Sequence, residues 1–131
     1  MDIEIKFRGF DSHMHEWVYG GYYKNDFDDI YIVKTHLYMT FVDSETVGQF
    51  TGFKDIDGKE IYEGDIIQHA KYPAGILIVF FDDNVATFAV KEPKQPLSEK
   101  IFANYKVIGN IHDNPGLCEN LRGCEVQNDN R

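Results

Sequence analysis

Cysteine is scarce: two residues, Cys118 and Cys124, both near the C-terminus. Two thiols at that spacing build neither a disulfide framework nor a zinc site. Reduced thiols are the expected state. They stand in a polar stretch, with His112 upstream, and lack the electropositive setting that activates a thiolate. No run of eighteen apolar residues occurs, so no transmembrane helix is expected. The N-terminal MDIEIKFRGF is charged and alternating, unlike the apolar core of a signal peptide. A cytoplasmic protein is the expectation. Helical periodicity of any length is missing. Basic residues are few, 13 against 22 acidic ones, for a net charge of −9. The acidic excess is −5 over residues 1–45, −3 over 46–91 and −1 over 92–131. Such a surface repels phosphate backbones and anionic lipid. Nucleic-acid and membrane partners are therefore disfavoured. A basic protein partner, a cation or plain solubility fits better.

What is present favours strands. Aromatic residues make up 15% of the 131 residues and apolar residues 43%. That content suits pleated, half-buried surfaces and a single domain with a real core. Ile3, Ile5 and Phe7 alternate with Glu4, Lys6 and Arg8, a period-two strand. Trp17–Tyr23 reads as its return, kinked at Gly20-Gly21. Strands are expected at Ile30–Val33 and Leu37–Val42, with Asp43-Ser44-Glu45 breaking the run. Thr46–Thr51 is a short strand. Asp57-Gly58 is a strong turn signal, since a tight hairpin needs positive φ there. Asp65–His69, Ile76–Phe81, Val85–Val90 and Tyr105–Ile111 are further strands. The apolar run at Ile76–Phe81 reads as central and buried on both faces. Ser98–Asn104 is a candidate helical turn within a proline-bearing loop, and Leu117–Leu121 a candidate short helix. Short strands joined by tight turns over residues 64–112 suggest a small barrel.

The most patterned stretch is Thr46–Ile67, and its carboxylates invite a search for chemistry. Asp55, Asp57, Glu60 and Glu63 around Gly58 suggest a calcium loop. The register fails: with Gly58 at position 6, Phe53 falls at position 1 and Gly64 at position 12. Asp65 is placed to cap backbone N–H groups at the Glu63-Gly64 turn. Glu60 and Glu63 have no structural task visible in sequence. They form a carboxylate pair with no His or nucleophile placed beside them. His13-Met14-His15 has ligand-like spacing but lies in a turn and lacks a third ligand, Asp11 and Glu16 being nearest. No cofactor is implied. Trp17, Tyr19, Tyr22 and Tyr23 could stack on bases, but basic residues are too few nearby. Trp17 and Tyr19 share one strand face, and core packing is the expected use.

Four blocks carry a family resemblance. They are Ile5-Lys6-Phe7-Arg8-Gly9-Phe10-Asp11, Thr46-Val47-Gly48-Gln49-Phe50-Thr51-Gly52, Asp57 through Ile67 (DGKEIYEGDII), and Val107 through Pro115 (VIGNIHDNP). Their order and content resemble the YopX family of phage and prophage proteins. Phe53 stands where Leu is common and Phe10 where Trp is common. Residues 21–45 and 91–104 match no block. The first two strands make an N-terminal β hairpin or meander; to this the resemblance adds a mainly β protein with a small SH3-like barrel in the C-terminal half. It places one YopX-like domain over 1–120, with lobes at 1–50 and 60–112, and a polar tail at 121–131. It implies a phage or prophage origin, a bacterial cytoplasm and a homo-oligomer. It supplies no catalytic residues.

Three functional readings follow. The first is a non-enzymatic phage accessory protein that self-associates and binds a host or phage protein, with Glu60, Glu63 and Tyr62 as partner contacts. The second is a nucleic-acid-binding small barrel, which rests on fold analogy alone. The third is an enzyme using Glu60, Glu63 or Asp65.

Overall fold

A computed structural model describes residues 4–91 and 94–118. It is mainly β, with one short helix, and its sheets are antiparallel. The chain divides into two compact units, Met1–Gly52 and Phe53–Arg131.

In the first unit the strands are β1 (Phe7–Asp11), β2 (Glu16–Lys24), β3 (Ile30–Thr35), β4 (Tyr38–Phe41) and β5 (Asp43–Lys54). Their order across the sheet is β4-β3-β2-β1-β5. The hairpin of β1 and β2 pairs Arg8 with Tyr19 and Phe10 with Trp17. Its first strand starts later than the alternation predicts. Pairing begins at Phe7, and Ile5 is 69% exposed; Ile3 lies outside the described residues. Val18, Ile32 and Val42 form the core, with Phe7, Ile30 and Val47 packed against them. β2 runs through Gly20-Gly21, where a kink was expected, and Gly20 has a steric reason. A Cβ on Gly20 would run into the Val33 carbonyl of β3, so only glycine lets the two backbones approach this closely.

Asp43-Ser44-Glu45 does not break the run as expected. It opens β5, with Asp43 opposite Phe10 after a register shift in β1. The Thr46 hydroxyl secures the irregularity. It donates to the Asp43 carbonyl at 2.6 Å and accepts from the Phe10 N–H at 2.9 Å. A buried side chain thus satisfies backbone groups that the shifted ladder leaves out.

The second unit takes the end of β5, which pairs with β6 (Glu60–Tyr62) through the Asp57-Gly58 hairpin. Beyond it come β7 (Asp65–His69), β8 (Ile76–Asp82), β9 (Thr87–Lys91), β10 (Gln95–Pro96), helix α1 (Glu99–Phe102) and β11 (Tyr105–Asn110). A 3-10 turn follows at Pro115–Cys118. The strand order is β10-β9-β8-β7-β11. As expected, β8 is central; it is buried on both faces over residues 77–79, but Phe81 at the end of the apolar run is 42% exposed. Ile67 opposite Leu77 serves one face, and Ile66 opposite Ile78 the other. The first face packs with Val79, Val90, Leu97 and Ile101, the second with Ile111. Over residues 76–79 both faces are apolar because both have a cover, and so the sequence there runs ILIV without alternation.

Two boundaries differ from expectation. Val85 and Ala86 belong to the turn, with Ala86 at φ +53°, and β9 begins at Thr87. The loop at Lys91–Lys100 contains β10, which pairs Gln95 with Val90. The helical turn at Ser98–Asn104 is present as α1. Closure into an SH3-like barrel goes further than this pairing, which links the strands as an open series among the described residues. The tail at 121–131 and the thiol of Cys124 lie outside them.

Candidate functional site

The carboxylates around Gly58 do not converge on a site. Asp55 is buried and spends both oxygens on backbone. Its Oδ1 accepts from the N–H groups of Asp57 and Lys59, each at 2.8 Å. Its Oδ2 accepts from the Val107 N–H on β11 at 2.8 Å. A carboxylate that takes three N–H groups is a structural hub, since each such bond is charge-assisted. Gly58 has φ +82°, as the turn chemistry requires. Asp65 caps the next turn as expected: its Oδ2 accepts from the Tyr62 N–H at 2.7 Å. The turn is then tied in from both sides. Gly64 N–H donates to the Val79 carbonyl, and Ile111 N–H donates to the Gly64 carbonyl.

Of the three residues expected as partner contacts, Tyr62 is only 2% exposed. Its hydroxyl donates to Glu60 Oε1 at 3.0 Å. Glu60 therefore has the structural task that sequence did not reveal: it receives a buried phenol. Glu60 and Glu63 are both half-buried.

The histidines are dispersed. Asp11 Oδ1 accepts from the N–H groups of His13 and Met14, so it builds the β1–β2 turn. His13 and His15 are exposed on that turn, and His15 packs edge-on against Phe10. Among the described residues, no three His, Cys, Asp or Glu side chains cluster as a metal site would need. The VIGNIHDNP block is the end of β11 and the turn that follows it. Asn110 Oδ1 accepts from the N–H groups of His112 and Asp113, and Asn114 Oδ1 accepts from the Asn110 N–H. A Cβ on Gly109 would collide with the Asn114 side chain.

One carboxylate is electrostatically perturbed. Asp82 is held below its ordinary pKa, chiefly by its hydrogen-bonded ion pair with Lys94 at 3.0 Å, against the opposing effect of burial. Its Oδ1 also accepts from the Asn84 N–H and so shapes the β8–β9 turn.

The feature that sequence reasoning missed lies on the first unit. Tyr23, Tyr31 and Phe41 stand directly opposite one another across β2, β3 and β4. Residues so paired share a face. Their rings form a ladder, with centroids 6.2 Å apart for Tyr23–Tyr31 and 5.7 Å apart for Tyr31–Phe41. The next register adds Gly21, Val33 and Met39 on the same face. The register between them, Tyr22–Ile32–Thr40, turns the other way, and Ile32 enters the core. The ladder face is open: Tyr23 is 47% exposed, Met39 52% and Phe41 45%. Tyr19 is likewise exposed, on the side of β2 away from Val18. The core role expected for Tyr19 is thus not what it has. Trp17 instead packs against Phe10 and beneath the Arg8 guanidinium. The sequence signal was the lack of charged residues in IYIV and LYMTFV, which marks strands without saying which face is covered.

No curated protein matches the sequence. Among solved structures, protein EF1440 from Enterococcus faecalis is similar, with a TM-score of 0.62 and 23% identity. The alignment covers 88% of this chain and 99% of that one. At that identity the likeness concerns the fold. No helix among the described residues is long and apolar enough to cross a membrane. The YopX protein family matches over residues 6–119, which takes in the four sequence blocks except Ile5. The chain belongs to the YopX family.

Proposed function

We propose that this protein acts by binding rather than by catalysis. It is a phage or prophage accessory module of the bacterial cytoplasm that self-associates and docks a protein partner. The observation that carries the reading is the exposed aromatic ladder Tyr23–Tyr31–Phe41 with Met39 beside it. Tyr, Phe and Met are enriched in protein interfaces, and contiguous exposed apolar faces mark such sites. The structural tasks of three carboxylates in the central stretch support the non-enzymatic half. Asp55 and Asp65 serve backbone N–H groups, and Glu60 accepts the Tyr62 hydroxyl. The net charge of −9 weighs against a nucleic-acid partner.

Light scattering over a range of protein concentrations tests self-association; a single-chain mass throughout would reject it. A Tyr23→Ser/Tyr31→Ser/Phe41→Ser variant tests the ladder as the docking face. It should lose any partner recovered with the wild-type protein, while Glu60→Gln and Glu63→Gln retain it. Retention on DNA or RNA at low salt would favour the nucleic-acid reading instead.

A further inference from the structure

The β4 edge specifies more than an apolar face. Among the described residues, β4 has a strand on one side only, β3. Its residues, Tyr38-Met39-Thr40-Phe41, include no charge and no proline, two of the usual devices that blunt an edge; the strand is short, and its pairing with β3 shifts register between Met39 and Tyr38. The direction of its backbone groups follows from one hydrogen bond. Val42 N–H donates to the Ile30 carbonyl at 3.1 Å. Hydrogen-bonded and non-hydrogen-bonded pairs alternate in an antiparallel ladder. Thr40, opposite Ile32, therefore points its backbone groups at β3. Met39 and Phe41 point theirs outward to the open edge. These same two residues carry their side chains on the ladder face.

We propose that β4 pairs antiparallel with β4 of a second copy of this chain, with Thr40 on the two-fold axis. This rests on the self-association reading above. In that register Met39 faces Phe41 of the second copy, and Phe41 faces its Met39. Each pair exchanges two N–H to carbonyl bonds, so every outward backbone group of Met39 and Phe41 is satisfied. The side chains of both pairs fall on one face, which makes the aromatic ladder continuous across the dimer. A shift to centre on Met39 or Phe41 would leave one of the two residues without its facing counterpart. The pairing is self-complementary, as a two-fold interface requires.

The test uses the full chain and light scattering. Met39→Pro removes an outward N–H that the monomer's own ladder does not use. Met39→Lys/Phe41→Lys places charge on two side chains that are already exposed, as a second variant with the fold preserved. Circular dichroism checks the fold of each. Both variants should shift from the wild-type assembly to a smaller one at the same concentration. Thr40→Cys, in a Cys118→Ser/Cys124→Ser background, should form a disulfide-linked dimer under mild oxidation. A non-hydrogen-bonded pair on the axis sets its Cα atoms about 4.5 Å apart, within disulfide range. Unchanged assembly in folded variants, with no Thr40→Cys cross-link, would overturn the β4 interface and leave self-association to another surface. A wild-type protein that stays a single chain would overturn both readings.

Discussion

Asp55 on the Gly58 hairpin accepts the Val107 N–H of β11 at 2.8 Å, across 52 residues of chain. Its other oxygen organises the hairpin itself. One carboxylate thus joins a local turn to a distant strand. Removing it orphans three N–H groups at a buried position. Asp55→Ala should destabilise the protein by about 3 kcal/mol, given about 1.5–3 for a hydrogen bond to a charged group. Asp55→Asn should recover part of the loss, since its amide keeps one acceptor oxygen. The midpoint of urea unfolding measures both.

Gly58 holds φ +82° with open space where a Cβ would go. The cost of a side chain there is conformational only. Gly58→Ala should cost ~1–2 kcal/mol, the usual left-handed penalty. Gly20→Ala should cost more, because the Val33 carbonyl occupies the Cβ position. Equal losses in thermal unfolding would contradict this ordering.

Tyr62→Phe isolates the phenol–carboxylate bond. The ring stays in place and Glu60 loses a donor at 3.0 Å. The expected loss is about 1 kcal/mol, the net worth of an ordinary buried hydrogen bond. A loss of that size with partner binding intact would assign the pair to architecture.

The Asp82–Lys94 pair predicts a pH dependence. The folded carboxyl has a depressed pKa, owing first to Lys94. Such a group stabilises the fold above its unfolded pKa, and that stabilisation disappears as pH falls through the lower folded value. Lys94→Met should therefore be less stable than wild type at neutral pH. The two should converge in acid, where the carboxyl is protonated in both. The gap should be small and shrink with salt, because Lys94 is exposed. Thermal unfolding from acid to neutral pH reads it.

Ile32 is fully buried between Val18 and Val42. Ile32→Ala should cost about 2–5 kcal/mol through lost contacts and the cavity left behind. Thr40→Ser, in the same register on the edge strand, should be close to neutral. Hydrogen exchange on β2 and β3 would localise the effect.

The residues that carry the family resemblance are mostly builders of turns. Gly58 and Asp65 close successive bends, and Asn110 and Asn114 close the one after β11. Turn chemistry acts over a few residues, so it is legible in sequence, and so are the strands between the turns. Composition likewise gave the strand-rich class, and ILIVFF gave the buried central strand. Three matters required the tertiary structure. The Asp43-Ser44-Glu45 segment becomes strand because Thr46 and a register shift in β1 satisfy it. Glu60 acquires its role only once the Tyr62 ring, two residues on along β6, is buried beside it. The Tyr23–Tyr31–Phe41 ladder arises from the register of three strands. An apolar run states that both strand faces are apolar. Which face is covered depends on what packs against it, and that is a property of the whole chain.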